Sequence, residues 1–338
     1  MSLDAAERGY RLDHRERPTM SRADRSAFEE LARTHGDGAC ARALAAGFKA
    51  RAEHTDLEAL AALWLNAAAA APERLPGIYD GAAAGWLGQA PRAPAVALAD
   101  QTPEPIPRGF WQAFWALLAE PPGSLGAGGV TVRTAALLSE LAPGVSPRVG
   151  MAALAYPGCA SAVAQGYPRR FTLEALARCP RGSLGGEFHS LIVDNGFDLE
   201  VLDRDAMGLA EAPPPHNYLN ARILQCHDLW HLAAGYRTTG LHEVAISGFQ
   251  AGQFGHHYSA MFLGMVLART AFERPEAAAI FLDVITTAWT HGRESPPLLG
   301  VDWEALWDRP VDQVRAQIGL TPYASPYPAD LFEQLVAA

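Results

Sequence analysis

Two histidines four residues apart, His227 and His231, with Asp228 beside the first and Glu243 twelve residues past the second, place the tightest constraint on this chain. On an α-helix, positions i and i+4 lie about 40° apart around the axis, and Asp228 falls within about 100° of both. One helical face then carries two imidazoles and a carboxylate. On an unbroken helix Glu243 would stand about 18 Å beyond His231, too far to share an ion with it. The intervening Gly235-Tyr-Arg-Thr-Thr-Gly240 reads as a break. Gly235 suits a helix C′ position, and Thr238, Thr239 and Gly240 suit the cap of a new helix. An αα-hairpin returns Glu243 to the level of the histidines. His227, Asp228, His231 and Glu243 are therefore the expected metal ligands. The set lacks thiolates and suits zinc, iron, manganese or magnesium. A solitary helical histidine is more often a satisfied polar residue, and H-x-x-x-H alone is a modest signal. The adjacent carboxylate and the returning Glu243 raise it above that. Cys226 points about 100° away from His227 and reads as a small core residue.

The rest of the chain is helical in pattern. Ser21–Arg33, Ala39–Glu53 and Asp56–Ala71 show Ala- and Leu-rich helical periodicity. Residues 89–108, with five prolines, read as a linker or irregular boundary. Further helices are expected at Arg108–Glu120, Thr131–Leu141, Gly150–Gln165, Thr172–Arg178, Ser183–Asn195, Tyr218–Ala234, Leu241–Phe272 with an interruption near Gly255, Pro275–Thr290 and Val311–Ile318, then a short tail helix. Alternation of β-branched residues is nearly absent, and there is no internal repeat, P-loop or Rossmann fingerprint. The expected fold is all-α. A helical N-terminal extension spans residues 1–105, and a multi-helix domain carrying the hairpin spans 106–338.

Composition narrows the partners. A net charge of −10 without a Lys/Arg run argues against nucleic acid. Hydrophobic residues at 49% of a 338-residue chain allow a sizeable core. The four cysteines, Cys40, Cys159, Cys179 and Cys226, lack disulfide or metal spacing and suit a reducing compartment. Met1–Glu7 has neither a basic nor an apolar leader region, so no secretory signal is expected. Val244–Ala268 is uncharged, but Gln250, Gln253, His256, His257 and several glycines make it a buried or tunnel-lining helix, not a membrane span. Gly248, Gly252, Gly255 and Gly264 form a narrow face that another helix, or an extended apolar ligand, could approach closely.

The H-D-x-x-H-x11-E pattern of His227, Asp228, His231 and Glu243 resembles the signature of the coenzyme Q (ubiquinone) biosynthesis protein 4 family. Two flanking blocks agree in order and spacing. Upstream, Leu173–Phe188 with Pro180, Gly182, Ser183, Leu184 and Gly185 is similar to the family's L-P-x-G-T-L-G segment. Downstream, Ala288–Arg293, Val301–Trp307 and Arg315–Leu320 are similar to its tryptophan-rich and L-R-x-x-L-G-I elements. The resemblance covers about residues 172–320, with a weaker fit back to about 107. Departures include an N-terminal hundred residues without counterpart and Leu224 and Gln225 where a second basic residue is common. His242 also stands where a glycine is expected. They point to a divergent branch.

The resemblance implies an all-helical protein with a divalent metal, zinc first, beside an apolar groove for a polyprenylated quinone precursor. It implies work with other ubiquinone-biosynthesis proteins and peripheral association with the inner membrane from the cytoplasmic side, with homodimerisation left open. The implied activity is oxidative decarboxylation, with oxygen installed at ring carbon one of a polyprenylated hydroxybenzoate-type compound. His227 and His231 would be neutral ligands, while Asp228 and Glu243 are the candidate catalytic residues, completing the shell or moving protons. The prenyl tail would follow the apolar helix after Glu243. The alternative is a non-catalytic, lipid-binding scaffold. A zinc hydrolase fits less well, because Asp228 is one methylene shorter than the usual glutamate and Glu243 comes early for a third ligand. HD phosphohydrolases need additional His and Asp ligands that the sequence does not assign. Among other residues, Trp230 reads as core, and Arg222 as partner of an acidic ligand, a headgroup or a surface ion pair. His291 and Arg293 read as a solvated helix end. His256 and His257, about 20 Å from Glu243 on a straight helix, are not expected to ligate.

Overall fold

Helical spacing of apolar residues is realised in helices from Arg22 to Ala337. The computed structural model describes residues 21–34, 36–121, 126–200 and 202–337. The leader reading at Met1–Glu7 lies outside them. Among the described residues there are sixteen α-helices and no strand. They are α1 Arg22–Leu31, α2 Gly38–Arg51, α3 His54–Ala70, α4 Leu75–Leu87, α5 Arg108–Leu118, α6 Gly126–Ser139, α7 Val145–Leu154 and α8 Cys159–Val163. Then follow α9 Leu173–Ala177, α10 Leu184–Asn195, α11 His216–Ala234, α12 Gly240–Phe254, α13 His257–Glu273, α14 Ala278–Glu294, α15 Val311–Ile318 and α16 Leu331–Ala337. The all-α expectation is met.

Two elements differ from what the sequence pattern predicts. Residues 75–87, with Pro76, Gly77, Gly81 and Gly85, show no clear helical pattern, yet they form α4. Gly81 and Gly85 turn bare backbone toward α2, where added Cβ atoms would collide with the carbonyls of Gly38 and Arg42. Close packing of two backbones overrides a poor intrinsic propensity. The single helix expected over Gly150–Gln165 is two, α7 and α8, parted by Pro157 and Gly158.

Burial draws the elements together. One continuous apolar cluster runs from Phe28, Trp64, Tyr79 and Trp86 through Phe110 and Phe114 to Met261, Leu282 and Trp289. Helices α1–α4 thus share a core with α12–α14. Each fully buried large side chain there contributes about 1.5–3 kcal/mol relative to its exposed state. A second cluster surrounds the histidine helix, with Phe188, Cys226, Trp230, Tyr236, Phe249 and Trp303 at its centre. Helices α12 and α14 lie between the two clusters and touch backbone to backbone. A Cβ on Gly252 would stand 2.6 Å from the Trp289 carbonyl oxygen, and one on Gly248 3.0 Å from that of Ile285. Of the two occupants open to the glycine face, a helix takes it. Gly264 faces Leu65 of α3 more loosely, where an added Cβ would stand 3.4 Å from its backbone. No helix among the described residues is long and apolar enough to cross a membrane.

Candidate metal centre

The expected hairpin forms. Helix α11 stops at Gly235 in the left-handed region (φ 81°), and the Gly235 and Tyr236 N–H groups both donate to the His231 carbonyl. Arg315 donates to the carbonyls of Ala233 and Leu232 at 2.9 Å each, satisfying the helix end from α15. Thr239 takes the N-cap position of α12, but its hydroxyl bonds the Ala329 carbonyl instead of capping. Glu333 of α16 accepts the Gly240 N–H at 2.9 Å in its place.

Across this turn Glu243 meets both histidines, and Asp228 lies beside them. His227 Nε2 and His231 Nε2 lie 3.3 Å apart. Glu243 Oε1 is 3.3 Å from His231 Nε2, and its Oε2 is 3.5 Å from His227 Nε2. Ligand atoms of His227, Asp228 and His231 all fall within 4.8 Å of one another. The His231 side chain is 1% exposed and that of Glu243 42%, so the cluster is sealed on the helix side and open beyond the carboxylate.

Hydrogen bonds behind the rings set their orientation. His231 Nδ1 donates to the Arg237 carbonyl at 3.1 Å, leaving Nε2 with a lone pair facing the cluster. The Arg237 peptide is itself held by His242, whose Nδ1 accepts the Arg237 N–H at 2.8 Å. The histidine that replaces an expected glycine therefore braces the loop that aims His231. On the other ring, His227 Nδ1 meets the side-chain nitrogen of Gln250 at 2.8 Å.

Charges follow from these contacts. Burial disfavours protonation of His227, but the Glu243 carboxylate, with Asp228, outweighs it and raises the imidazole pKa above its usual value. Burial also works against an ionised Glu243, yet hydrogen bonds and charge from the two histidines hold its carboxyl far below the ordinary range. Asp228 moves the other way. Burial raises its pKa against the pull of His227 and His231, and the Glu243 charge adds to the rise. Two imidazole nitrogens 3.3 Å apart, both facing a carboxylate, call for a positive charge between them. A divalent cation fits that requirement as a proton does, and the N,N,O,O donor set matches zinc, iron or manganese.

The other sequence candidates resolve as follows. Trp230 is fully buried core against Phe254. Cys226 is buried too, its thiol pushed up to about 12 by burial. Arg222 is neither a ligand's partner nor a surface ion pair. Buried at 6% exposure, it donates to the carbonyls of Leu299 and Val301 and to Gln225, because the loop after α14 needs donors there. His291 and Arg293 are not a solvated helix end. His291 bridges the Tyr236 hydroxyl and the Thr321 carbonyl, while Arg293 is buried against Asp80 and the Pro94 carbonyl. His256 is much nearer the cluster than a straight helix would allow. Gly255 (φ 63°) turns the chain so that His256 Nδ1 lies 3.0 Å from Gln250 Oε1, one residue removed from His227. Gln250, expected only as a polar residue of a buried helix, is the outer partner of His227. It lies seven residues after Glu243, about 20° from it around the helix, so helical spacing held the signal.

A cavity of about 290 Å³ is lined by Leu141, Val145, Leu219, Ile223, Phe254 and His256 among others, and by none of the four candidate ligands. Ile223 is one turn before His227 on the same face of α11.

An all-α protein with a two-histidine, two-carboxylate hairpin is the class that fold and site define. Residues 168–324 match the family model described as coenzyme Q (ubiquinone) biosynthesis protein Coq4, the family that the three motif blocks resemble. The match brackets the three blocks at 172–320 and does not reach back to 107. Among curated relatives, ubiquinone biosynthesis protein COQ4, mitochondrial, of Eremothecium gossypii is 28% identical over 148 residues, 44% of either chain. The COQ4 homologs, also described as mitochondrial, of Drosophila ananassae and Rattus norvegicus are 29% and 25% identical, over 43% and 44% of this chain and 53% and 55% of theirs. The chain thus spans about half the length of the curated relatives it matches. A crystal structure from Nostoc punctiforme PCC 73102 superposes with a TM-score of 0.47 at 21% identity, covering 62% of this chain and 96% of that one.

Proposed function

We propose that this protein acts in ubiquinone biosynthesis as a metal-dependent enzyme that replaces the carboxylate at ring carbon one of a polyprenylated hydroxybenzoate-type compound with oxygen. The observation that carries the reading is the convergence of His227, His231 and Glu243 within 3.5 Å, in the segment that matches the Coq4 family. His227, Asp228, His231 and Glu243 would hold the cation. When bound, it supplies Lewis-acid polarisation of the substrate carboxylate or phenolate, and iron or manganese would add access to oxygen.

The protein's own groups divide the remaining work. Glu243 stays anionic, with one oxygen facing each histidine, which suits a fixed ligand. Asp228, beside His227, would complete the shell or carry a proton to or from the ring oxygen. His231, anchored on the Arg237 carbonyl, keeps one lone pair aimed inward. The apolar cavity walls of Leu219, Ile223 and Phe254 suit the first part of a prenyl chain. Work alongside other ubiquinone-biosynthesis proteins, at the inner-membrane surface, belongs to the same proposal.

The deciding experiment strips the purified full chain of metal and reconstitutes it separately with zinc, iron and manganese. Each form is incubated with oxygen and a prenylated hydroxybenzoate, and the products are read by mass spectrometry. Loss of carbon dioxide with gain of ring oxygen is expected. A ring carboxylate intact with every metal, while the lipid still binds, would replace the enzyme with the scaffold.

A further inference from the structure

Gln250 is 1% exposed and spans two imidazoles. Its Nε2 lies 2.8 Å from His227 Nδ1, while its Oε1 lies 3.0 Å from His256 Nδ1 and 3.4 Å from the Ser259 hydroxyl. His256 and Ser259 meet at 2.8 Å. A neutral imidazole carries one proton, on one nitrogen or the other. With the amide nitrogen toward His227, Nδ1 must accept, and the ring proton sits on Nε2, the atom facing His231 and Glu243. With the amide turned over, Oε1 accepts a proton from Nδ1, and Nε2 presents a lone pair to the cluster.

The two orientations exchange groups of nearly equal size, so packing does not oppose the turn. The far end must change partners as well, and it can. Burial brings the His256 imidazole down to about 3, so this ring is neutral and takes either tautomer, and the Ser259 hydroxyl donates or accepts. His231 has no such freedom, because the Arg237 carbonyl only accepts. The two histidines are therefore unequal, one preset and the other conditional.

We propose that Gln250 is a positioning residue whose amide selects the His227 tautomer, with its carbonyl toward His227 when a divalent cation is bound and its nitrogen toward His227 in the cation-free protein. The proposal rests on the metal-site reading above. His256 lines the 290 Å³ cavity, so the ring that meets the far end of this amide borders the space where a ligand would lie.

Long-range nitrogen–proton spectra of the full chain, labelled with nitrogen-15 at histidine, distinguish the two tautomers, and His227→Asn identifies the resonance. With zinc added, His227 is expected in the Nδ1–H form. A proton kept on Nε2 in the zinc-saturated protein overturns the proposal. Zinc affinity, read by competition with a chelating dye, supplies the second arm. Gln250→Met cannot accept the Nδ1 proton and is expected to weaken zinc binding by about 10–100-fold, as loss of an outer-sphere partner does. Gln250→Glu only accepts and is expected to bind zinc at least as tightly as the unmodified chain. Equal affinity in Gln250→Met, or a Gln250→Glu protein weakened to the same degree, overturns it. If the unmodified chain binds no divalent cation, the metal-site reading falls and takes this inference with it. If that chain binds zinc and the variants do not discriminate, only the role of Gln250 falls.

Discussion

His231 Nε2 and Glu243 Oε1 lie 3.3 Å apart although a helix end, a five-residue turn and a new helix separate them in the chain. The contact joins the rigid C-terminal turn of one helix to the first turn of the next. Neither residue needs a long flexible side chain to reach the other, so the site is organised before any ligand arrives. Measurable consequences follow from this arrangement and from the packing around it.

Glu243→Gln keeps the shape of the side chain and removes its charge. Zinc affinity is expected to fall by more than the ~10–100-fold cost of losing an outer-sphere group, because a direct ligand is lost. In the metal-free protein the His227 pKa is expected to drop, since burial lowers it and the Glu243 carboxylate is the main group holding it up. Proton NMR titration of His227 reads the second effect. An unchanged His227 titration would show that the contact does not exist in solution.

Stability is expected to fall in acid through two histidines of the α12–α13 turn. Burial lowers His256 to about 3 and His257 to about 4, from an ordinary value of 6.5. Their contribution is complete above 6.5 and is lost as pH falls toward 4 and 3, because the unfolded chain takes up protons that the folded one refuses. Each group changes stability by up to ~1.4 kcal/mol per pH unit in that window. His227, with a raised pKa, contributes with the opposite sign, present in acid and lost as pH rises through its folded value. His257 Nε2 donates to the Ala68 carbonyl, and His257→Asn is expected to flatten the fall in urea midpoint between pH 7 and pH 5. The same slope in both proteins would contradict a buried neutral His257.

Two glycines on the helices after the site are expected to respond differently to alanine. A Cβ at Gly252 would press on the Trp289 carbonyl oxygen at 2.6 Å, and the backbone there cannot yield cheaply. Gly252→Ala is expected to cost about 1–3 kcal/mol, as overpacking does. At Gly264 the nearest atoms, in Leu65, stand at 3.4 Å, an ordinary contact, so Gly264→Ala is expected to be neutral or to gain up to ~1 kcal/mol of helix propensity. Denaturant melts of the two variants decide it. Equal effects would mean that α12 and α14 do not approach this closely.

Thiol chemistry offers a simple check of the core. Cys40 is exposed, whereas Cys159 and Cys226 are buried with pKa values near 12. A thiol reagent at pH 8 is expected to label Cys40 in the folded chain and to reach Cys159 and Cys226 only after denaturant is added. Labelling of Cys226 in the native protein would place the histidine helix at the surface.

The helix content, the hairpin and the meeting of Glu243 with both histidines were legible because each depends on local spacing. Positions i and i+4 fix the His227–His231 face, and Gly235 fixes where that helix ends. The contacts of Arg222, His291 and Arg293 were not legible. Each bonds a group distant in sequence, at Leu299, Thr321 and Asp80, and no local pattern encodes a partner across the fold. His242 shows the same limit. As a departure from a familiar motif it looked like divergence, and only the loop geometry reveals that it holds the Arg237 peptide.

The order of residues alone determined that this chain is helical and that His227, Asp228, His231 and Glu243 share one end of a hairpin. Helical periodicity and a glycine stop are properties of neighbouring residues, so they need no tertiary context. The fold decided everything that requires two distant surfaces to meet. It turned a glycine-rich stretch into α4, filled the glycine face of α12 with α14, and used the break at Gly255 to bring His256 to the far end of the Gln250 amide. Packing and hydrogen bonding between remote segments set those outcomes, and their energies depend on what stands opposite.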